Sequence, residues 1–141
     1  MADFALDPAF VATSHKVADL PLCEVRLQDD SRYPWLVLIP RQPGLREIEE
    51  LDTAHRLQLM EEIVLAGTAV RAVAAALGLA VDKLNVGALG NVTAQLHVHV
   101  VGRRKDDPAW PGPVWGHSPA SVYSAQALAA PIAAARKALN A

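Results

Sequence analysis

Two histidines one residue apart are the side chains of this sequence best suited to chemistry. They lie within residues 94–101, AQLHVHVV, where polar and apolar side chains alternate. Because successive side chains of a strand point to opposite faces, the alternation predicts that Gln95, His97 and His99 share one polar face. The apolar side chains between them then face the core, so we expect a strand with one chemically active side.

An imidazole pair of this kind suits group transfer. The unperturbed pKa of histidine is near neutrality, so a neutral ring can attack an electrophile and form a covalent intermediate. A second ring beside it can donate a hydrogen bond to the anion that develops. Upstream, the stretch GALGN (residues 87–91) has two glycines, whose backbone N–H groups can approach phosphate oxygens closely. Together these features favour phosphoryl or nucleotidyl transfer.

Two other interpretations of the histidine pair stay open: simple surface polarity and a metal site. A metal ion needs a third and usually a fourth ligand. Candidates of the right residue type exist, but none has a diagnostic spacing: His15, His55, His117, Asp106 and Asp107. We therefore expect neither a metal at this site nor a cofactor.

The composition argues against several classes of protein. The net charge is −2, from 13 Lys and Arg against 15 Asp and Glu, so no basic field would attract nucleic acid. Cys23 is the single cysteine, which excludes a disulfide framework and a zinc site built from cysteines. The first residues have no basic region before an apolar run, unlike a secretory signal. We expect a cytoplasmic protein that does not bind nucleic acid.

One apolar segment, residues 63–81, is long enough to cross a membrane. Arg71 lies near its middle, where a charged side chain costs about 2.5–3.5 kcal/mol on insertion scales. We interpret the segment as part of a buried helix and expect no membrane association. The apolar side predicted for that helix from its spacing comprises Leu57, Met60, Val64, Gly67 and Arg71, extended by Ile63, Val70, Ala74 and Leu77.

The rest of the chain alternates between helical and strand patterns. In chain order we predict a helix over 3–18, a strand hairpin over 23–28 and 33–40, a short helix over 44–52 and a long helix over about 54–77. There follow a strand that runs into a glycine loop over 83–91, a strand over 92–104, and a helix over 120–139 interrupted near Pro131. Asp7 with Pro8 can start the first helix, and Asp52 or Thr53 can cap the long one. Because no linker or repeat divides the chain, residues 1–141 are expected to form a single α+β domain with an antiparallel sheet.

The stretch GNVTAQLHVHVVGR, residues 90–103, resembles the signature of the histidine triad family. That signature is a glycine-containing loop followed by His-φ-His-φ-His-φ-φ, where φ is apolar, and residues 95–101 match it at six of seven positions. Other segments are similar to family features, namely YPWLVLIPR, the helix over 54–77, LNVGALGN and WPGPVWG. The resemblance covers about residues 20–117.

The resemblance implies a fold and an activity. The fold is an α+β one with a five-stranded antiparallel sheet, one long helix and shorter N- and C-terminal helices, here with a helical extension over about 120–139. Many members form homodimers, bind nucleoside phosphates, and hydrolyse or transfer a nucleotidyl group through a covalent nucleotidyl-histidine. The nucleophile maps to His97, and the histidine that supports the phosphate site maps to His99. Phosphate binding is expected from Asn85, Gly90, Asn91 and Thr93.

Gln95 departs from the family pattern because it stands where the first histidine would be. A glutamine amide donates and accepts hydrogen bonds but cannot carry a proton at neutral pH. Val92 and Pro43 also stand where some members have a hydroxyl and a further histidine. Three hypotheses follow: a nucleotidyl hydrolase or transferase, a nucleotide-binding module with little turnover, and a metal-dependent hydrolase.

Several residues outside the motif are further candidates for ligand contacts. Arginines near strand ends can pair with phosphate, and tryptophans can stack on a base or on a partner subunit. The residues concerned are Arg41, Arg103, Arg104, Trp110, Trp115 and His117. Each of them has a purely structural role as its alternative.

Overall fold

A five-stranded antiparallel sheet with strand order β1-β2-β3-β5-β4 forms the centre of the molecule. The computed structural model describes residues 3–141. The strands are β1 (Ser14–Asp19), β2 (Cys23–Gln28), β3 (Trp35–Pro40), β4 (Lys83–Gly87) and β5 (Val98–Arg103). The helices are α1 (Pro8–Thr13), α2 (Thr53–Ala76) and α3 (Ala125–Ala138), with a 3-10 turn at Ile48–Glu50. The predicted α+β class with five antiparallel strands is confirmed.

Strand β3 lies in the middle of the sheet, as its apolar sequence predicts. All six of its residues are buried, and it pairs with β2 on one side and with β5 on the other. A strand that is apolar on both faces needs cover above and below it. The antiparallel pairing of β2 with β3 confirms the predicted hairpin. Strand β5 pairs with the other edge of β3.

The two faces of the sheet have different covers. On one face, alternate side chains of β3 and β5, among them Leu36, Leu38, Val98 and Val100, pack under α2 and α3. The opposite face has a separate apolar cluster to which α1 and the chain after β5 contribute, comprising Phe10, Tyr33, Trp35, Val37, Ile39, Val101, Ala109 and Val114. His99 alternates with Val98 and Val100 along β5, so it belongs to this second face.

Helix α2 begins and ends where the sequence predicts. The Asp52 side chain caps it by accepting a hydrogen bond from the His55 N–H, and Gly78 follows its last turn with a φ of 70°, a left-handed conformation that glycine adopts without strain. Buried Glu62 accepts hydrogen bonds from the Leu22 and Cys23 N–H groups at 2.9 and 2.8 Å. Within residues 3–141, no helix is long and apolar enough to cross a membrane.

Only part of the predicted apolar side of α2 is buried: Gly67, Val70 and Ala74 are, but the residues of its first turns are not. Leu57, Met60 and Val64 are 65%, 57% and 62% exposed. The buried apolar residues of α2 are mostly small residues and valines: Leu59, Ala66, Gly67, Ala69, Val70, Val73 and Ala74. This choice allows close approach, since a Cβ at Gly67 would lie 3.0 Å from Cδ1 of Leu84. The helix is apolar on more than one side, so spacing alone does not identify the buried side.

The predicted helix over residues 3–18 is wrong in its second half. α1 starts at Asp7 and Pro8 as expected, but it ends at Thr13, and Ser14–Asp19 form the edge strand β1. The Thr13 hydroxyl donates to the Ala9 carbonyl at 2.9 Å, a side-chain bond that competes with helical bonding. Pairing of β1 with β2 then satisfies the following backbone groups.

The C-terminal helix also differs from expectation. α3 starts at Ala125, five residues later than predicted, and it continues through Pro131 without interruption. Ser124 caps it by accepting from the Ala127 N–H at 3.1 Å. The proline removes one backbone donor, and its ring is buried. Packing of α3 against α2 outweighs that local loss.

The strand predicted over 83–91 runs into a glycine loop as expected, whereas the strand predicted over 92–104 is shorter than expected. β4 ends at Gly87 and β5 begins at Val98, so residues 88–97 form a loop. Gly90 has a φ of 68°, which interrupts an extended strand, and the Leu96 N–H donates to the Leu45 carbonyl at 2.9 Å, outside the sheet. The short helix expected over 44–52 is reduced to the 3-10 turn. Gln95 and His97 therefore lie immediately before β5 and not within it.

Candidate active site

The two histidine rings lie side by side on the second face of the sheet. Their centroids are 4.9 Å apart and their planes are 77° apart. His99 is fixed by β5, where it pairs with Val37 of β3 and with Gly87 of β4. His97 comes from the preceding loop and is 7% exposed. The expectation that the two side chains lie on one face is confirmed, although only His99 is in the strand.

The hydrogen bond at Nδ1 fixes the tautomer of His97. This nitrogen lies 2.7 Å from the carbonyl oxygen of Gln95. A carbonyl oxygen only accepts, so Nδ1 carries the proton and donates it. The Nε2 lone pair of His97 is therefore free to attack. Phe10 of α1 packs against this ring at a centroid distance of 4.8 Å.

His99 has the opposite tautomer. The indole Nε1–H of Trp35 donates to its Nδ1 at 3.0 Å, so the proton of a neutral His99 ring is on Nε2. The rings of Trp35 and Trp115 lie 5.6 and 5.5 Å away. Burial lowers the pKa of His99 to about 3, and proximity to His97 acts in the same direction. His99 is thus a neutral hydrogen-bond donor at physiological pH.

The pair consequently presents one lone pair and one N–H group from neighbouring rings. A lone pair placed as in His97 can act as a nucleophile. The Nε2–H of His99 supplies a donor for an oxygen that gains negative charge. Two imidazoles that were both protonated would offer only donors, so the low pKa of His99 and the carbonyl contact of His97 are both needed for this arrangement.

Gln95 contacts His97 through its backbone and not through its amide. Its side-chain Oε1 accepts from the Asp7 N–H at 2.8 Å, and its Nε2 donates to the Ala5 carbonyl at 2.9 Å. Both partners lie just before α1. The predicted strand face shared by Gln95 and the two histidines is therefore wrong for Gln95, because the chain is irregular there and its side chain is held by the N-terminal residues.

Two cavities are lined by His97. The larger has a volume of about 530 Å³ and lies between the 3-10 turn and the loop before β5, with Arg46, Ile48, Arg56 and Gly90 among its lining residues. Its volume is in the range of small-molecule sites.

The smaller cavity has a volume of about 140 Å³ and is also lined by His99. The other residues that line it come from α1, from β2 and β3, and from the loop before β5: Ala9, Phe10, Thr13, Gln28, Val37 and Thr93.

The predicted phosphate-binding residues are distributed around these cavities. Gly90 lines the larger cavity and Thr93 the smaller one. Asn91 is exposed on the same loop. Asn85 of β4 pairs with Val101 of β5. Its Oδ1 accepts a hydrogen bond from a guanidinium N–H of Arg103 at 2.8 Å. The structure thus brings Gly90 and Thr93 next to His97, while Asn85 is turned towards Arg103.

The three candidate arginines have protein partners. Arg103 is 1% exposed and forms two hydrogen bonds to Asp107, at 2.8 and 3.0 Å. Arg41 donates to the Leu20 carbonyl, and Arg104 donates to the carbonyl of Arg32 at 2.8 Å. Their contacts hold loops in place.

The remaining candidates divide between the site and the scaffold. The Trp110 ring lies 5.7 Å from the Arg103 guanidinium, whereas Trp115 packs on His99. His117 is exposed and contacts the Ser118 hydroxyl at 3.0 Å. Of these three residues, Trp115 alone contacts the histidine pair.

A model of the HIT domain matches residues 9–106 of the chain. The chain belongs to the histidine triad (HIT) family. Proteins of this family are in general nucleotide-binding hydrolases or transferases. The match includes α1 from its second residue, the whole sheet, α2 and both histidines of the site.

Solved structures of HIT proteins are similar over nearly the whole chain. A histidine triad protein from Bradyrhizobium japonicum is 38% identical, with 98% of this chain and 99% of that one covered and a TM-score of 0.90. One from Marinobacter aquaeolei VT8 is 37% identical, with coverages of 99% and 98% and a TM-score of 0.89. One from Sinorhizobium meliloti 1021 is 35% identical, with coverages of 96% and 97% and a TM-score of 0.89. No curated protein matches the sequence.

Two aromatic residues of this HIT protein's site were not among the predicted site residues. Phe10 contacts His97, and Trp35 binds His99. Strand alternation places Trp35 and Val37 on one face of β3, but only the register with β5 brings that face to His99. Phe10 reaches the site through the fold of α1 over the sheet. Neither contact has a local sequence signal.

The geometry gives no support to a metal site. Among residues 3–141, no group of three or more His, Cys, Asp or Glu side chains is arranged so that it could hold a metal ion. The two histidines of the site instead use one ring nitrogen each for a protein hydrogen bond. The hypothesis of a metal-dependent hydrolase therefore has no structural observation in its favour.

Proposed function

We propose that this HIT protein hydrolyses or transfers a nucleotidyl group through a covalent intermediate on His97. The observation that carries the proposal is the free Nε2 lone pair of His97 beside the Nε2–H of His99, at a ring separation of 4.9 Å. The substrate class is a nucleoside phosphate with a leaving group on its α-phosphorus. Such a substrate is a phosphoramidate, a nucleotidyl ester or a dinucleoside polyphosphate.

The proposed reaction has two displacements at phosphorus. In the first, Nε2 of His97 forms a bond to the α-phosphorus, and the bond to the leaving group breaks with its electron pair on that group. In the second, a water or another acceptor forms the new bond to phosphorus, and the bond to His97 breaks. The Nε2–H of His99 donates to a non-bridging oxygen in both transition states. No cofactor takes part.

The two cavities provide places for the groups on either side of the phosphorus. In an in-line displacement the attacking Nε2 of His97 and the leaving group lie on opposite sides of the phosphorus, while the nucleoside oxygen is equatorial, so the nucleoside and the leaving group need separate space beside His97. We assign the nucleoside and the leaving group to the two cavities that His97 lines. Phosphate oxygens are proposed to contact Gly90, Asn91 and Thr93 on the loop, with Asn85 at its margin.

Trapping the intermediate tests this proposal. The protein is mixed with adenosine phosphoramidate or a dinucleoside polyphosphate, quenched rapidly and analysed by intact mass. We expect one adenylyl group per active site, located on His97 by peptide mapping, and none in His97→Ala. His117→Ala is the matched control, because His117 is exposed and away from the pair. Full activity of His97→Ala would disprove the assignment of the nucleophile.

A second candidate function is nucleotide binding with little turnover. It is favoured because His99 is neutral and because the Gln95 amide, which cannot carry a proton, is bound to Ala5 and Asp7. A poor leaving group then departs without a proton. Adenosine monophosphate that binds tightly, together with no burst of product from any of the substrates above, would establish this function in place of the first.

We also propose that the protein is a cytoplasmic homodimer. An apolar stripe lies on the exposed side of α2 and consists of Leu57, Met60 and Val64. Strand β4 is at the edge of the sheet, and its Val86 is 51% exposed. An exposed strand edge beside an apolar helix face is a surface that a second copy can cover. The lone cysteine, Cys23, is a buried free thiol, which suits a reducing compartment.

A further inference from the structure

We propose that Gln95 is a positioning residue that holds the wall of the smaller cavity in place. Its carboxamide makes two hydrogen bonds, to the Asp7 N–H and the Ala5 carbonyl. Both bonds join the loop before β5 to the chain just before α1. The side chain thus acts on the shape of the site and not on its protons.

The link from Gln95 to His97 passes through α1. Asp7, whose N–H is held by Gln95, also caps α1 by accepting from the Ala9 N–H at 2.9 Å. The helix places Phe10 edge-on against the His97 ring. Release of the segment at Ala5 and Asp7 therefore frees the start of α1 and, with it, Phe10.

A glutamine suits this link because of the geometry of its amide. One carboxamide offers an acceptor and a donor side by side, which matches the N–H and C=O groups that a backbone presents two residues apart. A glutamate only accepts, so it would repel the Ala5 carbonyl. The nitrogens of an imidazole point in more divergent directions, so a histidine would satisfy one of the two bonds at most.

The backbone of Gln95 adds a second connection. Its carbonyl accepts from Nδ1 of His97, so the same residue sets the tautomer of the nucleophile and the position of the wall beside it. Only the wall depends on the side chain. Substitutions at position 95 are therefore expected to change how tightly a group fits the smaller cavity, while the lone pair on His97 persists.

The first experiment measures how accessible the His97 ring is to a chemical reagent, and it needs no nucleotide. Diethyl pyrocarbonate modifies accessible neutral imidazoles, and peptide mass spectrometry gives a rate for each histidine, with exposed His117 as the internal reference. We expect Gln95→Ala and Gln95→Glu to raise the rate at His97 by about tenfold, the effect of losing ordinary hydrogen bonds. Gln126→Ala is the matched control, because Gln126 is exposed on α3.

A double-variant comparison tests whether Gln95 acts through Phe10. Phe10→Ala opens the same wall directly, so Gln95→Ala is expected to add little to the rate at His97 in that background. Hydrogen exchange should show that Gln95→Glu loosens residues 5–13 while the sheet keeps its protection. If the two rate increases multiply, or if exchange over residues 5–13 is unchanged, Gln95 is not a positioning residue.

The kinetic part of the inference rests on the proposed nucleotidyl transfer. We expect Gln95→Glu to raise KM for adenosine phosphoramidate by about tenfold, with kcat and its pH profile nearly unchanged. A shifted pH profile of kcat would instead assign proton transfer to Gln95 and overturn the inference. If no variant and no wild-type protein processes nucleotides, the proposed function fails, while the modification and exchange results still decide the role of Gln95.

Discussion

The indole N–H of Trp35 donates a 3.0 Å hydrogen bond to Nδ1 of His99. This bond determines which nitrogen of His99 carries the proton, and therefore whether the site has a donor beside the nucleophile. The two residues are on neighbouring strands, β3 and β5, so the tautomer of one side chain is set by the register of the sheet. The site consequently depends on the central strand as much as on the histidine motif.

Loss of this bond should weaken catalysis without unfolding the protein. Trp35→Phe keeps an aromatic ring but lacks the donor, so His99 is expected to become a mixture of tautomers and kcat to fall by about 5- to 10-fold. Nitrogen chemical shifts of His99 give the tautomer directly. Trp110→Phe is the control, because Trp110 stacks on Arg103 and not on the pair. A single unchanged tautomer in Trp35→Phe would contradict the assignment.

Stability should fall at mildly acidic pH because of His99. Its pKa is lowered to about 3 by burial and by His97, whereas in the unfolded chain it is about 6.5. The unfolded state therefore binds more protons between these values. This contribution, up to about 5 kcal/mol, is fully present above pH 6.5 and is lost as the pH falls towards 3.

Urea unfolding at several pH values measures this dependence. His99→Asn, which keeps an acceptor near Trp35 but does not titrate, is expected to show a shallower decline of the unfolding free energy over the same range. An equal slope in the variant and the wild type would mean that His99 is not the group responsible.

The buried ion pair of Arg103 and Asp107 should be sensitive to removal of one partner. Their side chains are 1% and 0% exposed, so Asp107→Ala leaves a buried guanidinium without its carboxylate and should cost about 3–5 kcal/mol of unfolding free energy. Neighbouring Asp106 has a side chain that is 86% exposed, so Asp106→Ala should stay within about 0.5 kcal/mol of wild type. Similar losses for both variants would show that burial does not control the effect.

Substitution of one exposed apolar residue of α2 by a charged one tests the proposed dimer surface. Val64 is 62% exposed on α2, so Val64→Lys should not disturb the core but should place a charge in the interface. We expect sedimentation to show monomers for this variant. Val122→Lys, at a position 65% exposed outside α2, should leave the association unchanged. Monomers in the wild type, or dimers in Val64→Lys, would exclude this surface.

Local patterns predicted the elements that carry their own signals. The hairpin of β2 and β3 follows from alternation and flanking prolines, and α2 follows from Asp52 and Gly78. The shared face of the two histidines was predicted from strand alternation, and it holds although His97 lies one residue before β5. These features depend on residues that are close in sequence.

The features that sequence did not predict depend on distant contacts. Ser14–Asp19 is a strand because β2 offers it an edge, and Leu57, Met60 and Val64 of α2 are exposed although their spacing matches that of buried residues. The role of the Gln95 side chain depends on backbone groups 88 and 90 residues away. No short stretch of the sequence contains both partners of such a contact.

The large sequence separation between Gln95 and residues 5–7 affects the order in which the protein folds. Residues 5–7 are made early in synthesis, but their partner at Gln95 emerges only 88 residues later. Contacts of such long range form late in folding, because the loop between them must first be closed. The sheet and α2 can therefore assemble before the N-terminal segment docks, and the same segment should be among the first to detach when the native protein fluctuates.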